Sequence, residues 1–264
     1  SASVLPSVRY DYYSDFDHVI NPRVGVLLAK TGDNGFGLRA SYGRSFHAPT
    51  FNDLYWIGDA YTAGNPDLKP EVATSYDVGV RSNLALLGGL DFEFGYFSKK
   101  ARDLIQWAGD FQSGKWKPQN VSSAQITGHE LRLALPQLFK RFSTELNYTR
   151  QQAINTSGIE GVDGHFLIYR PKDKTSSLSS FSLGPMLLSF TATYIGERYA
   201  DEMNAKKLDA VWLMDVDLGF KSTFLQYHWE ILFSVKNISD EPYQYIHDYP
   251  MPGRTWRVKV GLGI

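Results

Sequence analysis

Two carboxylates, Asp215 and Asp217, stand two residues apart in an alternating stretch, so both project from one side of a strand. Such a pair can pass protons or hold a cation. With His228 it is the nearest thing in the chain to an acid/base group. Lys236 and Arg257 fall at corresponding positions of the next alternating stretches. A network of Asp215, Asp217, Lys236 and Arg257 lining a polar interior is therefore the stronger reading. Cysteine is absent, which excludes a thiolate nucleophile, a thiolate metal site and a disulfide scaffold. The chain holds no nucleophile elbow, phosphate-cradling glycine loop or zinc-ligand pair. The residues predict neither an enzyme, a resident cofactor nor a metal site.

The elements that must position these groups are strands. From Gly35 to Ser45, apolar and polar residues alternate, and alternation returns with Thr74, Tyr76, Val78 and Val80. Between them lies a loop of roughly two dozen residues, longer than the usual upper range of about 12–15. It carries Phe46, Phe51, Tyr55, Trp56 and Tyr61 together with Pro49, Pro66 and Pro70. Fixed φ at Pro66 and Pro70 predicts an ordered turn over 65–71 rather than a binding element. The exposed aromatics Tyr55, Trp56 and Tyr61 offer large, rigid area for ligand contact.

Alternation recurs over 3–11, 21–29, 90–99, 124–135, 142–148, 175–181, 188–194, 212–220, 229–236 and 256–264. That makes about twelve strands and no helix. Links after even-numbered strands are short and those after odd-numbered ones, from the third onward, are longer, with 100–120 read as a second long loop. An up-and-down meander with one plain and one elaborated end follows, which is the pattern of a transmembrane barrel. The alternating apolar face places Tyr10, Tyr42, Tyr76, Tyr96, Tyr148, Tyr194, Trp212, Trp229 and Trp256 near strand ends, as interfacial girdles require. Across 264 residues, 14% are aromatic and the formal charge is −1, which gives no basic surface for nucleic acid. No apolar run reaches the roughly 18 residues of a spanning helix. The first residues lack a leader pattern and already alternate, so the chain is expected to begin inside a larger protein.

Phe46-His47-Ala48-Pro49-Thr50-Phe51-Asn52-Asp53-Leu54-Tyr55-Trp56 and Gly64-Asn65-Pro66-Asp67-Leu68-Lys69-Pro70-Glu71 resemble the paired boxes of TonB-dependent outer-membrane receptors. Asn21-Pro22-Arg23, Gly128-His129-Glu130-Leu131, Tyr194 to Tyr199, Val235 to Asp240 and Gly253-Arg254-Thr255-Trp256 extend the resemblance over essentially the whole chain. Phe46, Ala48, Pro49, Asn65, Pro66, Leu68, Pro70 and Glu71 carry it.

The resemblance implies an all-β, antiparallel up-and-down transmembrane barrel of about 22 strands. Residues 1–264 would supply the C-terminal dozen, with no plug domain in this chain. It further implies a Gram-negative outer membrane and, as partners, its lipid and lipopolysaccharide. A scarce small-molecule ligand such as a metal chelate (a ferric siderophore, cobalamin or haem) would be taken up with energy from a TonB–ExbB–ExbD complex acting through a plug. His165 and His247 then fall in extracellular loops as further ligand contacts. His47 is a poor haem ligand, because no second His lies between Pro49 and Asn65. Ile264 stands where the family usually ends in an aromatic, which predicts insertion with reduced efficiency. The competing readings are a self-contained twelve-stranded pore or autotransporter translocator and, more remotely, a barrel hydrolase using Asp215, Asp217 and His228.

Overall fold

The computed structural model describes residues 1–14, 17–30, 32, 34–85, 89–110, 114–139, 141–224 and 226–263. Asp15, Phe16, Thr31, Asp33 and the terminal Ile264 lie outside them. Twelve long strands form one antiparallel sheet. They are β1 (Ala2–Tyr13), β2 (Asp17–Lys30), β3 (Gly35–His47), β4 (Glu71–Leu84), β5 (Leu90–Asp110), β6 (Lys115–Leu138), β7 (Phe142–Asn155), β8 (Asp173–Leu183), β9 (Met186–Ile195), β12 (Val211–Phe224), β13 (Tyr227–Lys236) and β16 (Thr255–Gly263). The links add helix α1 (Phe51–Tyr55) and two small hairpins, β10 (Arg198–Tyr199) with β11 (Lys207–Leu208) and β14 (Gln244–Ile246) with β15 (Tyr249–Pro250).

Each long strand pairs with the long strands before and after it in the chain. Among the described residues β1 and β16 remain the two edges, so the sheet does not close on itself as a self-contained pore would. Register joins apolar positions into one band. Leu28 faces Leu38, Leu38 faces Val80, Val80 faces Phe94 and Phe94 faces Leu131. Further round, Phe181, Leu188, Leu218, Phe233 and Val258 continue it. These side chains are solvent-facing, Val258 at 65% and Phe94 at 40%, while buried hydrophobics are few. A water-soluble sheet would bury this face, since soluble monomers rarely expose apolar patches beyond about 300–600 Å². Hydrocarbon is the solvent that satisfies it.

The band is bounded by aromatics. Toward the elaborated end, Tyr76 and Tyr96 lie 6.3 Å apart, Tyr194 and Trp212 5.0 Å, and Phe233 and Trp256 5.6 Å between ring centroids. Toward the plain end, Phe36, Phe92, Phe142, Phe181 and Trp229 mark the other limit. The opposite face is polar and self-paired, with Arg39 3.0 Å from Glu93 and Arg132 2.8 Å from Glu145. Two of its glycines are notches for arginines. A Cβ at Gly79 would meet Arg39 Nε at 2.8 Å, and one at Gly37 would meet Arg81 Nε at 2.9 Å.

Two expectations are corrected. Residues 100–120 form no long loop: β5 and β6 run on to Asp110 and from Lys115 as a hairpin that extends beyond the apolar band. Polar composition hid it, because a strand that leaves the membrane no longer needs an apolar face. Register slips between Ala101, Leu104 and Ile105, with Asp103 at φ 57°, mark the departure. The chain also holds a helix. Thr50 and Asp53 form a capping box, in which Thr50 Oγ1 accepts from the Asp53 N–H at 3.1 Å and Asp53 Oδ2 accepts from the Thr50 N–H at 3.1 Å. Five residues are too few to show periodicity.

Candidate ligand-binding face at the elaborated end

Residues 48–70 and the outer part of the β5–β6 hairpin form one lobe. Leu54 and Leu68, each 4% exposed, anchor it beneath the surface. Gly64 donates to the Trp56 carbonyl at 2.9 Å, and a Cβ on it would lie 2.6 Å from Trp56 N and 2.8 Å from Leu54 O. Only glycine fits between these two backbone segments. Asn65 donates from its amide to the Pro118 carbonyl at 2.9 Å. Asn120, on β6, accepts from the Lys69 N–H at 2.7 Å and donates to the carbonyls of Lys69 at 2.8 Å and Asp103 at 2.7 Å. The Ile105 N–H donates to Glu71 Oε1 at 2.9 Å. Pro49 is buried, Ala48 and Pro70 are half-buried, Pro66 is exposed, and Phe46 packs edge-on against Tyr13. Residues 65–71 are thus an ordered turn held by the hairpin.

The lobe presents aromatics outward. Tyr55 is 50%, Trp56 46% and Tyr61 76% exposed, beside Phe51, Trp107 and Trp116. Trp56 is oriented by its Nε1–H, which donates to Thr62 Oγ1 at 3.0 Å. Tyr61 is fixed through its backbone: its carbonyl accepts from Trp116 N at 2.8 Å, and its N–H donates to Asp59 Oδ1 at 2.7 Å. That N–H, with the hydroxyl and N–H of Thr62, holds the Asp59 carboxyl below the usual carboxylate range. His47 Nδ1 lies 3.5 Å from Glu71 Oε2 at the base of the lobe.

A second lobe joins residues 156–172, 196–210 and 237–254. Asn204 clasps Phe166, accepting from its N–H at 2.8 Å and donating to its carbonyl at 2.9 Å. Phe166 stacks on Tyr199 at 5.9 Å, and Lys172 Nζ sits 3.9 Å from the Phe166 ring centroid. His165 Nδ1 lies 3.1 Å from the Glu202 carbonyl. Arg198 is 4% exposed and donates to the carbonyls of Gly196, Asp209 and Gln244. Burial pushes its guanidinium down from the usual range. It lines a cleft of about 500 Å³ with Asp209, Tyr243, Gln244, His247 and Met251. His247 is paired with Asp248 at 2.9 Å.

Tyr55, Trp56 and Tyr61 are therefore brought together, whereas His165 and His247 belong to the other lobe. On the inner wall, Lys236 Nζ lies 3.4 Å from Asp215 and 3.2 Å from Asp217, and Asp215 also accepts from the Asn237 N–H at 2.9 Å. Arg257 stands opposite Ser234 and makes no ion pair with either carboxylate among the described residues. One strand separates it from Asp217, so the network has three members. His228 bonds Thr223 at 2.8 Å, while Asp217 faces Ser234, six positions up the same strand and roughly 20 Å away. The acid/base grouping is not assembled. Sequence reading missed Trp107, Trp116, Asn120, Arg198 and Asn204. Arg198 lay within the quoted 194–199 box, and the two tryptophans within the stretch misread as a loop.

Residues 2–238 match the family model described as TonB dependent receptor-like, beta-barrel. The chain belongs to that family. Its members are Gram-negative outer-membrane β-barrel proteins, and the sheet described above is the barrel wall of one. Over 258 residues the chain is 33% identical to a vitamin B12 transporter, BtuB, of Vibrio vulnificus YJ016, which covers 95% of this chain and 38% of that protein. Against a hemin receptor of Yersinia pestis it is 28% identical over 188 residues, covering 61% of this chain and 27% of that one. The chain thus spans under two-fifths of the length of these curated relatives. Among solved structures, the ferric enterobactin receptor PfeA of Pseudomonas aeruginosa, with enterobactin bound, superposes at a TM-score of 0.78 with 18% identity. That match covers 98% of this chain and 43% of PfeA, and at this identity it shows the fold alone.

Proposed function

We propose that this chain is the C-terminal part of the barrel of an outer-membrane receptor for a scarce chelate or cofactor: a ferric siderophore, cobalamin or haem. Uptake would be energised by a TonB–ExbB–ExbD complex through a plug domain encoded outside this chain. Lipid and lipopolysaccharide would surround the apolar band. Family membership and relatives named for vitamin B12 and hemin support this class of cargo. The observation that carries the reading is the exposed cluster of Tyr55, Trp56 and Tyr61 on a lobe locked by its own hydrogen bonds. Rigid aromatics bind with little loss of conformational entropy.

The test uses the complete receptor in outer membranes, offered cyanocobalamin, ferric enterobactin and haemin. One of the three should bind, and the Tyr55→Ala/Trp56→Ala/Tyr61→Ala variant should weaken it about tenfold or more without changing heat-resistant migration on gels. Binding of none, or equal binding by the variant, would overturn the assignment of this face.

A further inference from the structure

The ladder between β2 and β3 stops short of the elaborated end. It runs from Lys30 with Phe36 to Arg23 with Gly43. Both strands then continue: β2 stays paired with β1 as far as Asp17, and β3 with β4 as far as His47. In every other seam of the large sheet among the described residues, at least one strand stops within a residue of the last pair. Asn21-Pro22-Arg23 stands at this branch, and Pro22 brings no N–H to a rung. The fork is filled. Val19 and Asn21 are 7% and 9% exposed. A cleft of about 380 Å³ runs between His18, Val19 and Ile20 on one arm and Arg44 and Val72 on the other. Phe46 meets Tyr13 edge-on at 5.8 Å between ring centroids. In a continuous sheet these rings could not touch. Phe46 shares the outward parity of Tyr42, whereas Tyr13 follows outward Tyr12 and takes the other face.

The fork also carries a cost. The amide oxygen and nitrogen of Asn21 are both enclosed, and neither has a hydrogen-bond partner among the described residues. If the ladder ran on in its present register, Asn21 would stand opposite Ser45, whose hydroxyl both donates and accepts. Zipping would add backbone rungs as well, but would give up the Phe46–Tyr13 contact. Each position holds contacts that the other lacks, which is the condition for a two-state element. The β3 arm leads straight into the aromatic lobe. That lobe is tied on its far side to the β5–β6 hairpin through Asn65, Lys69 and Glu71. Closing the seam would draw residues 44–47 toward β2 and pull against those bonds. We propose that the β2–β3 seam regulates the cargo face. Forked, it presents Tyr55, Trp56 and Tyr61 on an intact lobe; zipped, it strains the base of the lobe and weakens the hold on cargo. By linkage, bound cargo keeps the fork apart. This regulation rests on the cargo reading given above.

The experiment uses the complete receptor in outer membranes, with cyanocobalamin, ferric enterobactin and haemin as probes. Residues 1–264 contain no cysteine, so an introduced pair reports cleanly. A disulfide needs Cα atoms roughly 4.4–6.8 Å apart, a spacing that a zipped rung supplies. Asn21→Cys/Ser45→Cys should oxidise slowly, and Gly25→Cys/Ser41→Cys, a rung already paired, at once. The probe that binds should slow the first pair about tenfold and leave the second unchanged. Adding Tyr13→Ala, which removes the ring that Phe46 meets, should quicken the first pair. Once oxidised, N21C/S45C should bind the probe about tenfold more weakly and recover on reduction. If that variant does not insert, hydrogen exchange on the parent replaces it: peptides over 18–22 should exchange faster with probe bound. Oxidation of N21C/S45C as fast as the control pair, no oxidation at all, or oxidation and exchange indifferent to the probe would overturn the proposal. Failure of the parent to bind any of the three probes would instead sink the cargo reading, while crosslinking without probe still scores the two positions of the seam.

Discussion

The two lobes of the elaborated end are built on opposite principles. In the lobe formed by residues 48–70 and the β5–β6 hairpin, the clasps lie at the base, where Asn65 and Asn120 bond backbone groups, and the aromatics are left outward. In the lobe formed by the later links, the fastening is central: Arg198 is buried and gathers three carbonyls, two from its own segment and one from 237–254. Among the described residues no carboxylate forms an ion pair with it, and a guanidinium surrounded by carbonyls is a cross-link more than a ligand group. On the proposed function recognition falls to the first lobe, while the bonds of Arg198 give the second its cohesion.

The largest effect should come from removing that cross-link. Arg198→Ala leaves the Gly196, Asp209 and Gln244 carbonyls without their donor and should cost about 3 kcal/mol locally. Hydrogen exchange should quicken at Ala200, Tyr169 and Met251, whose amides bond within this lobe, while Gly64 and Asn65 stay protected. Equal quickening in both lobes would mean that they open as one unit, and the comparison would fail.

The reciprocal change, Gly64→Ala, forces a methyl against the Trp56 and Leu54 backbone and should cost about 2 kcal/mol. Protease cutting within 56–64 should appear in this variant, with 196–210 still intact. Cutting at both places would again merge the lobes.

Acid gives the mildest test. Asp59 and Asp201 are both held below the usual carboxylate range, Asp59 chiefly by the Tyr61 N–H and Asp201 chiefly by the Lys206 N–H. A depressed folded value means that the stabilisation is present above the unfolded value, about 3.9, and is lost as pH falls through the folded one. Amides of Tyr61 and Lys206 should therefore keep protection at pH 5 and lose it well below pH 4. The two lobes should loosen together here, unlike in the substitutions. Loss of protection already at pH 5 would contradict the depressed values.

The barrel wall was legible because its physics is periodic. Alternation at Leu38, Ala40 and Tyr42 or at Val258 and Val260 follows directly from a wall with lipid on one side and a polar interior on the other. The β5–β6 extension was not legible, since past the girdle both faces of a strand meet water and the period carries no contrast. Trp107 and Trp116 thus looked like loop residues. Lys236 with its two aspartates was recoverable from strand parity, but Arg257 was not excluded by it, because parity gives the face and not the distance between strands. Arg198 and Asn204 act on backbone carbonyls and amides, which leave no complementary residue in the sequence to pair them with.

The plain end bears on how such a sheet is made. Its links are short, the one between Leu183 and Met186 being a tight turn, and each long strand pairs with the next one in the chain. Closing a hairpin of this kind costs little chain entropy, and no strand must wait for a distant partner. Each hairpin can set its register before the next is added, so the wall can grow by lateral accretion from an edge already in place. The elaborated end, whose lobes join segments 50 or more residues apart at Asn65 with Pro118 and at Lys69 with Asn120, would be fastened last.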